Sequence, residues 1–303
     1  MRKVSLLLPI FGLLAFVFLP TTSAQAQATR TWVSGVGDDA NPCSRTAPCK
    51  TFAGAISKTL ASGEIDCLDP GGFGAITITK SITIDCGPFA GGILASGVNG
   101  VIINAAATDK VILRNLVING AGTTLGLNGI RYLAGAELHL DRVVIQNFST
   151  TCVEMTKSSF SFLYANNSMF TECPTGIKVS STASFAIASI SYSMFYGISG
   201  IALQAATANS IVNVSNSTIA NAGTGLSGTV SGSFANANNN MFTNNTTAVS
   251  AASGANLRMS NNDMYDNTTG ISATGANFLS PGNNRVSGGT TTGTSASGPI
   301  PLR

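Results

Sequence analysis

The sequence predicts an all-β solenoid, a parallel β-helix with a short N-terminal capping helix, on three observations. A small-apolar pair recurs at a period of 22 to 25 residues: Gly129-Ile130, Cys152-Val153, Gly176-Ile177, Gly200-Ile201, Gly225-Leu226, Ala248-Val249 and Gly270-Ile271. An independent apolar series keeps step with it, through Ile145, Phe170, Phe195, Ile219, Phe242, Tyr265 and Val286. Between these markers the residues alternate with the period of a strand, as in Leu138-His139-Leu140, Ile177-Lys178-Val179 and Ile211-Val212-Asn213-Val214. A repeat of this length means stacked units, none of which can bury its apolar face alone. Helical repeats need runs of good helix formers, whereas Ser, Thr, Asn and Gly fill these coils. Leucine-rich repeats need a fixed leucine frame, which is absent. Short strands joined by turns, stacking ~4.8 Å apart, are what remains.

Residues 1–26 read as a secretory signal peptide. Arg2 and Lys3 precede the apolar run from Val4 to Leu19, and Ala24-Gln25-Ala26 supplies a small-residue cleavage site. The run is short for a membrane span and no second one follows, so a secreted or periplasmic chain is expected, with no membrane partner once the leader is removed. Residues 30–60 are expected to cap the solenoid. Thr31-Trp32-Val33-Ser34 reads as a strand, and Thr51 to Leu60 places Phe52, Ala55, Ile56 and Leu60 on one helical face. Such a helix would cover the open strand edges that end a β-helix. Residues 61–286 are the solenoid itself, beginning with Ile76-Thr77-Ile78-Thr79 and Ile82-Thr83-Ile84-Asp85. Residues 287–303, rich in Gly, Thr and Ser, read as a flexible tail or loose cover.

Asparagines gather just ahead of the second marker, at Asn166-Asn167, Asn216, Asn238-Asn239-Asn240, Asn261-Asn262 and Asn283-Asn284. Asn tolerates left-handed backbone and bonds to nearby backbone groups, so it suits a turn repeated on every rung, where stacked amides can also form ladders. Cysteine usage in an exported chain points to disulfides. Cys43 and Cys49 bracket one loop, while Cys67 with Cys86 and Cys152 with Cys173 lie about one coil apart. Stacked coils put such residues ~5 Å apart, within disulfide reach, so the expected pairs are 43–49, 67–86 and 152–173. A zinc site would need different spacings and more than the single histidine present.

The charges are nearly balanced once Arg2 and Lys3 leave with the leader, and no basic run with interleaved aromatics suggests nucleic acid. Their distribution says more. From Val179 to Leu257 there is no Asp, Glu, Lys, Arg or His, so chemistry by charged side chains cannot reside in those coils.

Trp32-Val33-Ser34-Gly35, Gly37-Asp38-Asp39-Ala40-Asn41-Pro42 and Pro48-Cys49-Lys50-Thr51-Phe52 resemble the opening motif of pectin-lyase-like right-handed parallel β-helix proteins. The resemblance covers about 30 residues and implies a single-stranded right-handed coil. The superfamily includes polysaccharide lyases, glycosidases, epimerases and members with no known activity, so this fold does not settle function.

Glycosidases need two carboxyl groups facing across the bond, and lyases need a base with a cation beside it. Register locates the candidates. The first marker aligns Arg131, Glu154 and Lys178 outward, continuing as Ala202, Ser227, Ser250 and Ser272. The second aligns Ile112 with His139 and Tyr164, and Arg114 with Asp141 and Asn166. His139, Arg114, Asp141 and Tyr164 are therefore the candidate patch. Tyr could stack on a sugar, Arg could grip a uronate carboxylate and His could exchange a proton. The structural alternative is an inter-coil ion pair between Arg114 and Asp141. No Asp cluster resembles the calcium site of pectate lyases, and nothing resembles the polygalacturonase set. No metal site or cofactor is expected, with calcium at Asp263 and Asp266, flanking Tyr265, as the alternative. The residues thus point to an exported β-helix with a binding or structural role, contacting glycans or a cell-surface polysaccharide through uncharged walls. The alternative is a polysaccharide lyase or related uronan-modifying enzyme working around His139 and Arg114. Ice or mineral binding would need regular Thr-x-Thr rungs, which only Thr77-Ile78-Thr79 and Thr83 approach.

Overall fold

A computed structural model describes residues 27–89, 91–289 and 291–300. The leader assigned to residues 1–26 lies outside the described residues. Three parallel sheets form the walls of a solenoid, one of 11 strands and two of 10. Each full coil visits them in a fixed order. Glu137–Asp141 lies in the 11-stranded sheet 1, Val144–Gln146 in sheet 3 and Phe148–Lys157 in sheet 2, before Ser161–Asn166 returns to sheet 1. Among the described residues, no helix is long and apolar enough to cross a membrane.

Alternation decides which side chains enter the core. In sheet 1, Val111, Leu113, Leu138, Leu140, Leu163 and Ala165 point in and are buried. In sheet 3, Ile118, Ile145, Phe170, Phe195, Ile219 and Phe242 stack in register, and the rings of Phe170 and Phe195 lie 4.7 Å apart and nearly parallel. Burying one such side chain contributes ~1.5–3 kcal/mol, so successive rungs hold each other through their cores.

The markers miss twice. Ile130, Val153 and Ile177 are stacked as expected, but Leu203 rather than Ile201 continues the column, followed by Leu226, Val249 and Ile271. The coil between Ile177 and Leu203 is longer than its neighbours, and Gly200 serves a corner against the Pro174 carbonyl. The outward column of sheet 2 therefore passes through Gln204, while Ala202 is buried. In the second series Met264 takes the inward place expected of Tyr265. The Tyr265 hydroxyl instead donates to Asp263 at 3.1 Å, which suits a phenol better than the apolar core.

The N-terminal cap forms from strand Ala28–Val33 and helix Phe52–Lys58. The Thr51 hydroxyl accepts from the Gly54 N–H at 2.9 Å, an N-cap. Phe52 and Ala55 are buried, and the Phe52 ring lies 5.1 Å from that of Phe73. The helix is shorter than expected. Thr59–Cys67 is already a strand of sheet 1, and Leu60 is exposed rather than packed under the helix. Disulfides join Cys43–Cys49, Cys67–Cys86 and Cys152–Cys173. At the other end, residues read as a flexible tail carry further structure. Thr291–Gly293 pairs with Thr269–Ser272, and Gly298 bridges to Leu279 in the manner of one more rung.

Candidate functional site

Sheet 1 carries most of the chemistry of the described residues on its outer face. Parallel pairing in register turns its outward residues into columns. One runs through Arg30, Glu64, Thr83, Ile112, His139, Tyr164, Ser189, Asn213, Asn236 and Arg258. Beside it run Trp32, Asp66, Asp85, Arg114, Asp141, Asn166, Ser191, Ser215, Asn238 and Ser260. Along the solenoid the face changes from charged, to aromatic, to a hydroxyl- and amide-rich stretch that ends at Arg258.

The four residues expected to form a patch share this face but do not act as one unit. His139 and Tyr164 are neighbours, their ring centroids 4.7 Å apart. Arg114 stands next to Asp141 in register, yet its guanidinium lies 3.9 Å from Asp85 on the preceding rung. Asp141 is held instead by Arg142 at 2.9 Å, so the expected Arg114–Asp141 ion pair is absent. A long side chain in a column can reach either rung, and Arg142 supplies the nearer cation for Asp141. The His139 Nε2 donates to Glu137 Oε2 at 2.8 Å, and Lys110 sits 3.2 Å from the same oxygen. His139 and then Lys110 hold the Glu137 carboxyl below its ordinary value. Tyr164 extends an aromatic run, stacked on Phe162 at 5.6 Å, with Phe160 edge-on to Phe162 at 4.9 Å.

Toward the N-terminus lies a groove of about 450 Å³ that the sequence reading did not single out, lined by Arg30, Trp32, Arg45, Glu64, Asp66, Asp85 and Phe89. Its signal is visible in hindsight as Arg30-x-Trp32, Glu64-x-Asp66 and Thr83-x-Asp85, strand alternation that aims the named residues outward. Arg30 bonds to Asp66, lies 3.4 Å from Glu64 and covers the Trp32 ring at 5.9 Å. Asp85 accepts from the Asn115 amide at 2.7 Å and the Gly87 N–H at 2.8 Å. Burial, then the hydrogen bond and charge of Asp66, push the Glu64 carboxyl above its ordinary value against the pull of Arg30.

Toward the C-terminus the same face forms a cleft of about 490 Å³ over Ser189, Ser191, Asn213, Ser215, Asn236, Asn238, Arg258 and Ser260, with Ile300 at its edge. The Asn236 amide donates to Asn213 Oδ1 at 2.8 Å, and Ser260 donates to Asn238 Oδ1 at 2.8 Å. Asn236 Oδ1 is buried and accepts no hydrogen bond among the described residues.

The other sequence candidates are structural in geometry. Arg131 and Glu154 pair across rungs of sheet 2 at 3.0 Å. Asp263 is bound by Arg285 and by the Tyr265 hydroxyl, so its cation is a guanidinium and the basic partner is not Arg258. Arg258 instead lies 5.6 Å from the Phe234 ring. Among the described residues, no group of three or more His, Cys, Asp or Glu side chains is arranged to hold a metal ion.

No protein-family model matches the chain, and no curated protein matches it. Among solved structures, pectate lyase Pel9A has a TM-score of 0.57 at 13% identity, covering 90% of this chain and 80% of that one. A GH136 lacto-N-biosidase from Eubacterium ramulus is matched at a TM-score of 0.43 and 11% identity, covering 89% of this chain and 67% of its own. The chain is a parallel β-helix and shares its fold with pectate lyase Pel9A.

Proposed function

We propose that the protein is exported and binds a polysaccharide laid along the outer face of sheet 1. The observation that carries this reading is the polar cleft, where hydroxyls and amides recur on successive rungs from Ser189 to Ser260 with Arg258 as its charged side chain. Rungs repeat every ~4.8 Å, comparable to one sugar residue in an extended chain, so a glycan parallel to the axis meets an equivalent polar pair at each step. Tyr164 and Phe162 extend the track with aromatic surface suited to the apolar face of a sugar ring. The three disulfides are compatible with an extracellular location. The test is a glycan array together with pull-down on insoluble polysaccharides. The double variant Asn213→Ala with Asn236→Ala should bind about tenfold more weakly while keeping its circular dichroism spectrum. A silent array, or a variant that binds like the wild type, would defeat the reading.

Catalysis is the second reading, and the feature that favours it is the N-terminal groove rather than the surroundings of His139. A Glu64 carboxyl held above its ordinary value by burial, with Asp66 and Arg30 beside it, is suited to act as a general acid on a glycosidic oxygen. Reducing-end release and formation of unsaturated product, measured on neutral and acidic polysaccharides, decide it. Activity that Glu64→Gln leaves intact would remove Glu64 from that role.

A further inference from the structure

The turn from sheet 1 into sheet 3 uses a left-handed residue on rung after rung: Asn115, Arg142, Asn167, Tyr192, Asn216, Asn239 and Asn261. Asn takes this conformation readily, whereas a bulky side chain does so at a cost. Tyr192, at φ 49°, is the aromatic exception, and it is 64% exposed. It also ends an amide ladder. Asn261 donates to Asn239 at 2.8 Å and Asn239 to Asn216 at 2.7 Å. With a phenol ring at 192, the Asn216 Nδ2 meets no amide acceptor on the rung before.

A second irregularity lies next to it. The outward column of sheet 3 runs Val144, Met169, Met194, Thr218, Met241 and Asp263. Thr218 is the short step between two methionines. A depression of about 350 Å³ opens there, bounded by Tyr192, Asn216, Thr218, Asn239, Met241 and Asp263. Neither the wide tyrosine nor the missing methionine is required by the coil, since adjacent rungs use Asn and Met at those places.

We propose that this depression binds a single neutral sugar residue, with Tyr192 against the apolar face of the ring and Asn216 and Asn239 exchanging hydrogen bonds with its hydroxyls. An exposed aromatic face beside amides is the combination that reads a ring with one apolar face and a hydroxyl rim. The carboxylate of Asp263 argues against an acidic sugar. Arg285 holds it ionised, and that guanidinium is already committed to it. The site lies around the corner from the sheet 1 cleft and extends the glycan reading to a second surface.

The test is saturation-transfer NMR on the whole protein with the methyl glycosides of glucose, galactose and N-acetylglucosamine, and with galacturonic acid as the acidic comparison. Thr218→Met fills the depression with the side chain carried by the same column at 169, 194 and 241. Tyr192→Asn installs the residue that the turn uses on the adjacent rungs. At least one neutral glycoside should bind, and both variants should weaken it by about tenfold or more. The Asn213→Ala, Asn236→Ala variant should bind that glycoside as the wild type does. The proposal fails if no neutral glycoside binds, if Thr218→Met binds normally, or if galacturonic acid binds as well as the neutral sugars. A protein that binds polysaccharide but none of the glycosides overturns this site and leaves the sheet 1 reading standing.

Discussion

Lys157 is a lysine in the core, 1% exposed, and no ion pair among the described residues includes it. Its Nζ donates to the Gly135 carbonyl at 3.0 Å and lies 3.8 Å from the centre of the Tyr132 ring. Burial pulls its pKa down to about 8 from 10.5. The folded state therefore binds fewer protons than the unfolded chain between those values, and stability rises with pH through that window. Lys157→Met removes the cost of burying the charge. The Tyr132 hydroxyl at 2.8 Å and Ser161 at 3.0 Å still satisfy the Gly135 carbonyl. The variant should melt about 3 °C above the wild type at pH 7, with the gap closing above pH ~10.5. An unchanged or lower melting temperature at pH 7 would show that the ring contact outweighs desolvation. Asp39 behaves in the opposite sense. Burial opposes its charge, but the Thr51 hydroxyl and the N–H groups of Thr51 and Lys50 bond to it and hold its pKa below the ordinary value. Its contribution is present above pH ~4 and is lost as pH falls through the lowered value. Asp39→Ala should cost about 1–2 kcal/mol at neutral pH, with the loss shrinking in acid when followed by urea denaturation.

Between sheets 1 and 3 the corners from Ser168 to Asn284 each carry an inner polar residue that serves the rung before it. Ser168 N–H donates to Ser193, Ser193 N–H to Ser217, Ser217 N–H to Asn240, Asn240 N–H to Asn262 and Asn262 N–H to Asn284. Corner N–H groups that no strand can pair are satisfied in this way inside the wall. Asn262 is fully buried, and its amide accepts two hydrogen bonds from Asn240 and donates to the Ala237 carbonyl and to Asn284. Asn262→Ala strands several of these groups without water and should cost about 2–4 kcal/mol in chemical denaturation. A loss below ~1 kcal/mol would mean that the ladder is decorative. The Asn clusters were legible in the sequence as rung turns, because a short amide is what a left-handed corner takes. So was the pairing of His139 with Tyr164, since in-register coils make spacing equivalent to adjacency. The partner of Arg114 was not legible, because a side chain that long can meet Asp85 or Asp141. Neither was the 201-to-203 shift, where Gly200-Ile201 imitates the repeat while Gly200 serves a corner. The groove at Glu64 and Asp66 precedes the regular coils, so no register pointed to it.

Stacking makes the chain a linear array in which each coil touches the one before and the one after, and so its stability is divided along its length. The three disulfides all fall between Cys43 and Cys173: one closes the cap loop, one ties Thr59–Cys67 to the segment after Ile82–Asp85, and one ties the coils of Val153 and Ile177. From Thr175 onward the described coils are held without a disulfide, by packing, hydrogen bonds and the Asp263–Arg285 ion pair. The cap helix, with buried Phe52, shields the first coils, whereas a single bridge, Leu279 with Gly298, extends sheet 1 beyond its last strand. Opening should therefore begin at the C-terminal coils and run toward Cys173, where the crosslink raises the cost of freeing another rung. Hydrogen exchange should show protection falling from the strand at Phe234–Asn238 to that at Asn277–Leu279. Reduction should speed exchange around residues 67–86 and 152–173 and leave the coils beyond Thr224 nearly unchanged. If reduction loosened every rung equally, the solenoid would be opening as one cooperative body, and the local support given by each crosslink would have no meaning.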